Sequence, residues 1–251
     1  MQKNNILILT ATITPPLEAV RMARLDPKVR YEDYKKAFKF YLDSLNKGVI
    51  DGLIFADNSF SDVSELKEMV ELEGLMTKVE IMSFKGLDYP PSYGRGFGEF
   101  KLINYVMNNS SLVNSSHKDT NFWKVTGRYI LRNLAEIIES KPNLTDLYCH
   151  CRDYPTRWMD LYVICWNKNA YKVVIENIYE KLREDDKEGS SELFFRNIIE
   201  GYKPIISIKQ RFKIPPKLEG VRGFDNKAYH DMNMKQKLRE VASVVFPWLW
   251  I

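Results

Sequence analysis

The decamer FWKVTGRYIL, residues 122–131, sets Lys124, Thr126, Gly127 and Arg128 among Phe122, Trp123, Val125, Tyr129, Ile130 and Leu131. The apolar members suit a pleated, half-buried surface. Two cations and a glycine are costly in a strand that serves only to fill a core, so they must face something. Lys124 and Arg128 lie four residues apart, which on a regular strand places them on one face with Thr126 between them. Gly127 at that point would let backbone approach a ligand closely.

Other groups of chemically capable residues follow the same logic. PSYGRGFGEF carries Gly94, Gly96 and Gly98 ahead of Glu99, and a glycine-rich turn opening a helix can hold a phosphate on its backbone N–H groups. The spacing is not that of the dinucleotide fingerprint, and a flexible loop capping a helix explains it equally well. RMARLDPKVRYEDYKKAF holds Arg21, Arg24, Lys28 and Arg30 near Asp26 and Asp33. Mixed charges usually form a solvated face, yet Arg24 or Arg30 could reach a diphosphate with the two-pronged geometry of arginine. DLYCHCRDYPTRWMDLYVICWN gathers Arg152, Asp153, Arg157 and Asp160 around one connection, where Asp153 could meet a sugar hydroxyl. Glu192, in GSSELFF, falls in the first turn of a helix, where the dipole by itself favours a carboxylate.

Lys and Arg number 37 against 33 Asp and Glu in 251 residues, a net charge of +4. That excess is compatible with an anionic small ligand or membrane surface, but with no basic stripe it argues against a nucleic-acid enzyme. The cysteines are Cys149, Cys151 and Cys165; the C-x-C spacing is expected to point two thiols to opposite faces of a strand, as reduced thiols of a cytosolic protein. A zinc site would need more than His150 with His117 and His230. ILILTATI is too short to span a membrane and no secretory signal is visible, so it predicts a buried first strand.

Strand-length apolar runs occur at NILILTATI, DGLIFADNS, KVEIMSF, FWKVTGRYIL, LYCHCRD, DLYVICWN and IISIKQRFKI. Helical periodicity lies between them, over 32–47, 61–74, 98–109, 169–184 and 190–200, with Ser61, Ser64 and Glu65 as capping signals. The polar stretch 108–121 reads as a surface loop. Such alternation predicts an α/β fold with a largely parallel sheet, whose ligands bind at the carboxyl ends of strands. Four runs end polar: in TATITPP (Thr10, Thr12), in ADNS (Asp57, Asn58), within KVTGRY and in CRD. They predict a shared polar cleft.

In this order, TATITPP, RLDPKVRYEDYKKAFKFYL, LIFADNS, GRGFGEFKLINYVM, FWKVTGRYIL and DLYVICWNKNAY resemble the small bacterial glycosyltransferases of O-antigen and capsular polysaccharide clusters that carry a lysine-threonine-glycine-arginine-tyrosine motif. The resemblance runs over residues 5–230, and KVTGRY and GRGFGE are its most specific parts. It implies a Rossmann-like α/β sandwich of the glycosyltransferase-A type. Residues 1–251 would form a single domain, with a nucleotide-binding half up to about 120 and a donor and acceptor half over 121–230. It further implies a hexosyltransferase working on a nucleotide-sugar donor and a glycan acceptor.

The chain departs from that fold's usual pattern in lacking an Asp-x-Asp triplet, which normally holds a divalent metal on the donor diphosphate. Lys124 and Arg128 stand where that strand would be and are expected to stabilise the leaving group in its place. No cofactor is expected, with manganese or magnesium left open. The implied donor-binding residues are Thr10, Thr12, Arg24, Arg30, Asp57, Asn58, Gly96, Glu99, Lys124, Thr126, Gly127 and Arg128, with Asp57 and Asn58 at the nucleoside. Glu192 or Asp153 would be the general base on the acceptor, Glu192 first. The alternative is a non-catalytic nucleotide- or nucleotide-sugar-binding regulatory or scaffold domain, which would keep the cations and lack a carboxylate near the sugar.

In 231–251, Leu238, Val241, Ala242 and Val245 line one side of a helix and Lys235, Lys237 and Arg239 are available to the other, before Phe246, Trp248, Leu249, Trp250 and Ile251. That is the composition of an interfacial membrane contact, or of a tail folding back to close the core. A lipid-linked acceptor would make the contact useful to a cytoplasmic protein at the inner face of the membrane.

Overall fold

β1 (Asn5–Ala11) is buried at every residue, as a strand covered on both faces requires. In the computed structural model, which describes residues 4–16, 18, 23–154, 156–185, 189–223 and 225–229, β1 pairs in parallel with β2 (Gly52–Asp57) and with β4 (Asn121–Thr126). The C-terminal helix and aromatic tail expected over 231–251 lie outside the described residues. β2 pairs in parallel with β3 (Val79–Ser83). β7 (Trp158–Trp166) runs antiparallel to both β4 and β6 (Leu147–Arg152), so β6 points the same way as β1 to β4. β8 (Ile208–Lys209) joins β6 in parallel, giving the order β3-β2-β1-β4-β7-β6-β8. β5 (Ile130–Leu131) and β9 (Leu218–Glu219) form a separate antiparallel pair. The α/β class with a mostly parallel central sheet is as the alternation predicts.

Helices cover both faces. α1 (Pro27–Asn46), α2 (Ser64–Leu72) and α5 (Leu134–Ser140) pack on the face carrying Leu7, Leu9, Trp123 and Val125. α3 (Gly94–Asn109), α4 (Ser111–Ser115), the short α6 (Lys168–Ala170) and α7 (Ser191–Tyr202) pack on the face carrying Ile6, Ile8 and Phe122. α1 begins five residues before the expected 32, where the Asp26 side chain accepts from the Lys28 N–H and Pro27 occupies the first turn.

Several elements differ from expectation for identifiable reasons. α2 starts at Ser64 behind Val63 with no side-chain cap; Ser61 instead gives its N–H to Asp57 at 3.0 Å. The stretch 108–121 contains α4, whose exposed N–H groups of Ser111 and Leu112 are met by the Glu80 carboxylate across the fold. The helix expected over 169–184 breaks into α6, a π-helical turn at Tyr171–Ile175 and a 3-10 turn at Ile178–Lys181, with Asn177 left-handed at φ 56° between them. Of 205–214 only Ile208 and Lys209 pair as a strand. Cys149 and Cys151 share the α3 face with their sulfurs 3.9 Å apart, contrary to the expectation of opposite faces, because side chains two apart on a strand point the same way. Both are free thiols. Among the described residues no helix is long and apolar enough to cross a membrane.

FWKVTGRYIL is a strand only as far as Thr126; Gly127 to Tyr129 form a turn, closed by the Tyr129 N–H on the Thr126 carbonyl at 2.9 Å, before β5 begins. Tyr41 of α1, fully buried, holds this break, donating to the Tyr129 carbonyl at 2.8 Å and accepting from the Leu131 N–H at 2.9 Å. Tyr41→Phe leaves both backbone groups without that partner and is expected to lower stability by about 1–3 kcal/mol. A fall in the urea midpoint at unchanged slope is the measurement.

Candidate functional site

The chain passes from β1 to β2 and β3 on one side of the sheet, then returns to β4 on the other. The strand order therefore reverses between the carboxyl ends of β1 and β4, the switch point at whose crevice open α/β sheets bind ligands. Because β6 has the same direction, the ends of β1, β2, β4 and β6 all lie on this edge. The four polar strand ends thus share one edge of the sheet.

At the crevice, Thr10 and Thr126 are neighbours in register, and Glu99, in the second turn of α3, reaches both. Its Oε1 accepts from Thr10 Oγ1 at 2.7 Å and Thr126 Oγ1 at 3.2 Å, and pairs with Lys124 Nζ at 2.6 Å. Lys124 is wholly buried, and its ammonium also donates to Thr126 Oγ1 at 3.1 Å and to the Leu161 carbonyl of β7. Three partners match its three N–H bonds. Lys124 therefore fixes Glu99, and an anion could take it only by displacing that carboxylate. Glu99 remains 21% exposed, and among the described residues its Oε2 has no protein donor. Burial pushes the Lys124 ammonium below its ordinary pKa, while Glu99 and Glu192 pull it back up. Glu192, in the first turn of α7, lies within electrostatic reach of this pair. Burial pushes its carboxyl above the ordinary range, with the charge of Arg95 pulling the other way.

The glycine pattern brings α3 and α7 together. A Cβ on Gly96 would fall 2.1 Å from the Ser191 side chain, and one on Gly98 would fall 1.8 Å from the Tyr89 hydroxyl. Close packing of α3 on α7 thus accounts for Gly96, and the Tyr89 side chain accounts for Gly98; the first contact seats Glu192 beside α3. Gly127 also serves a contact within the chain. Its N–H donates to the Thr10 carbonyl at 2.9 Å, and a Cβ there would lie 2.9 Å from the same oxygen and 3.3 Å from the Tyr34 ring.

Arg128 does not share a face with Lys124. The turn after Thr126 carries it to the α1 side, near Tyr34 and Asp33, whereas Lys124 faces α3. Its guanidinium lies over the Tyr129 ring, packs on Gly223 and donates from Nη2 to Tyr129 Oη at 3.2 Å. Arg128 is 8% exposed, and its Nε and Nη1 have no hydrogen-bond partner among the described residues. Such orphaned buried donors are rare and costly unless a ligand or water meets them.

The remaining predicted residues hold the edge in shape. Arg24 grips Asp33 with Nε and Nη2, at 2.5 and 2.9 Å. Arg30 donates to the Thr12 and Arg24 carbonyls and to Tyr34 Oη. Asp57, fully buried, accepts from the N–H groups of Ile13, Ser59 and Ser61 and from the Ser59 hydroxyl, closing the loops after β1 and β2. The Thr12 hydroxyl donates to Asn58 Oδ1 at 2.7 Å. Asp153, more than half exposed past the end of β6, pairs with Arg196 of α7 at 3.0 Å. Among the described residues no three His, Cys, Asp or Glu side chains come together as a metal-binding group. Sequence reasoning missed Tyr34, whose hydroxyl meets both the Thr12 N–H and Arg30, because it reads as one more apolar position of α1. It also missed Gly223, which no local pattern marks.

Removing the partner of a buried ion exposes its role. Glu99→Gln leaves the Lys124 charge buried and uncompensated, and is expected to cost about 3–5 kcal/mol. Glu99→Gln combined with Lys124→Met is expected to recover most of that loss, as read by chemical unfolding of the wild type and the two variants.

No family model matches the chain, and no curated protein matches it. Among solved structures it is similar to an inositol-1-phosphate CTP transferase from T. maritima, with 12% identity, 96% of each chain covered and a TM-score of 0.49. It is similar to a protein provisionally assigned as a nucleotide-diphospho-sugar transferase from Desulfovibrio desulfuricans G20, with 10% identity, 83% of this chain and 80% of that one covered, and a TM-score of 0.47. A third is a glycosyltransferase involved in glycosylation of the major capsid of PBCV-1, with 9% identity, 82% and 81% covered, and a TM-score of 0.44. At these identities and scores the similarities assign no activity.

Proposed function

We propose that this chain is a nucleotide-sugar-dependent glycosyltransferase of the glycosyltransferase-A type, moving a hexose to a lipid-linked glycan in bacterial surface polysaccharide synthesis. What carries the proposal is the crevice at the β1–β4 switch point, where an anchored, half-open carboxylate and a buried arginine with unpartnered donors flank one strand end. In this proposal Arg128 meets the diphosphate, Glu99 Oε2 accepts from a hydroxyl of the donor sugar, and Glu192 deprotonates the acceptor. Lys124 acts through Glu99. Charge developing on the leaving diphosphate then meets a fixed guanidinium in a water-poor site, where it stabilises most.

The test is release of nucleoside diphosphate from a panel of nucleotide sugars, since water can stand in for the acceptor in an enzyme and not in a mere binding domain. Turnover is expected to persist in saturating chelator and to fall about 100-fold in Arg128→Ala, by analogy with loss of one transition-state donor. Arg128→Lys should recover only part, because a lysine lacks the two-pronged geometry. Near-normal turnover of folded Arg128→Ala would overturn the diphosphate role.

Glu192 provides a pH signature. Its carboxyl is pushed up in the folded protein, so the folded state holds that proton more tightly than the unfolded one. Ionisation therefore costs stability as pH rises from about 4.3, the unfolded value, through the folded one. Glu192→Gln is expected to raise stability at pH 7, with the difference vanishing below about pH 4. Activity in the wild type should rise with pH through a midpoint above the ordinary glutamate range and collapse in the variant. Parallel stability profiles of the two proteins, or retained activity in the variant, would remove Glu192 from the mechanism.

A further inference from the structure

Beyond Asp57 the chain turns through Asn58, Ser59 and Phe60 before Ser61 returns its N–H to the Asp57 carboxylate at 3.0 Å. This turn holds Phe60 at φ 56°, left-handed backbone that a bulky side chain rarely adopts. Glycine or asparagine would fit more cheaply. The Phe60 ring is 62% exposed, so packing does not explain its presence either. An aromatic held in solvent against the preference of its backbone points to a use outside the fold.

A cavity of about 230 Å³ opens beside it, lined by Asn58, Ser59, Lys85, Leu87 and Asp88. Its two walls are tied together by the bridge between Ser59 and Lys85 and by the Gly86 N–H on the Asn58 carbonyl at 2.9 Å. Gly86 is needed here, since a Cβ would sit 2.5 Å from the Phe84 ring and 3.0 Å from the Asn58 Cβ. The Lys85 ammonium lies over one face of the Phe60 ring, 5.3 Å from its centroid, and leaves the opposite face to a ligand. Asn58 is 2% exposed and its Oδ1 is already taken by Thr12, so what it has left for a ligand is its amide N–H pair. Asp88 is held by Lys101 at 2.5 Å. The wall therefore offers an aromatic face and hydrogen-bond donors, which suits a flat ring with acceptors on its edge better than a sugar.

We infer that Phe60 is the stacking platform for the nucleobase of the donor, with Asn58 and Lys85 contacting its edge. The inference rests on the nucleotide-sugar proposal above and names the ring that proposal leaves unplaced. β3, β2, β1 and β4 are successive strands, so this cavity and Thr126 are about three strand spacings apart, roughly 14 Å at ~4.8 Å each. An extended nucleoside diphosphate spans such a distance, laying its phosphates along β1 and its sugar at Glu99.

The experiment is calorimetric titration of the full chain with uridine, cytidine, adenosine and guanosine diphosphates and with inorganic pyrophosphate. At least one nucleotide is expected to bind more tightly than pyrophosphate. Phe60→Gly should weaken that nucleotide about tenfold, the order of one stacked base, and leave pyrophosphate unchanged; Phe60→Tyr should bind like the wild type. Phe60→Gly also relieves the left-handed backbone, so its melting temperature should not fall, which a packing role would require. If a nucleotide binds the wild type and a stable Phe60→Gly variant equally, the platform is wrong while the nucleotide proposal stands. If nucleotides bind no better than pyrophosphate, the base contributes nothing and the inference fails alone. If none of the probes binds, both fail together.

Discussion

A charged amine sealed inside a sheet must have its counter-charge fixed beside it, and Lys124 imposes that condition on everything around it. The ammonium is fully buried in the middle of the sheet, so Glu99 must be held at the carboxyl end of β4. Glu99 rides on α3, so α3 must lie at one height and rotation over β1 and β4. The two threonines that share its Oε1 belong one to each of those strands, which makes the carboxylate a clasp across the point where the strand order reverses. Three donors on Oε1 fix the carboxylate and leave Oε2 facing outward.

The helix geometry that this clasp requires depends on two absent side chains. α3 passes so close to α7 and to Tyr89 that Gly96 and Gly98 have no room for a Cβ. The same closeness brings Glu192 under the influence of Arg95 and Lys124 and takes it far enough from water to favour its protonated form. A carboxyl tuned upward beside one locked in its charged pair is an arrangement in which two acids of one chemistry acquire different roles.

On the other side of the sheet the constraint is backbone supply. The loops after β1 and β2 have no strand partners for their N–H groups, and the buried Asp57 carboxylate provides for those of Ile13, Ser59 and Ser61. Arg30 does the complementary task for the carbonyls of Thr12 and Arg24. These residues are polar because the edge must be shaped before anything can bind to it. Asp57 in particular is engaged by the protein itself, so the neighbouring cavity draws on Asn58 and Lys85 instead.

How much of this was legible follows from which forces act locally. The alternation of apolar runs and helical periodicity determined the α/β class and the parallel sheet, because strands buried on both faces must read as continuous apolar segments. The body of α1 was legible from its apolar spacing, but its start was not: the expected bound at 32 falls inside a helix that Asp26 caps and Pro27 opens. The polar strand ends marked the edge of the sheet at which β1, β2, β4 and β6 all finish. The side of the sheet that each cation faces was not legible: a four-residue spacing puts Lys124 and Arg128 together only if the strand continues, and it stops at Thr126 because Gly127 fits against Thr10 and Tyr34, eighty or more residues away in sequence. The glycines of GRGFGEF read as a phosphate loop until Ser191 and Tyr89 supply the contacts that require them. Which partner takes each charge, and which donor on Arg128 is left without one, are decided by long-range packing, for which a linear pattern holds no signal. The sequence by itself determined the kinds of residue at these strand ends; the tertiary structure decided which of them the protein holds and, in Arg128, which donors it leaves without a partner.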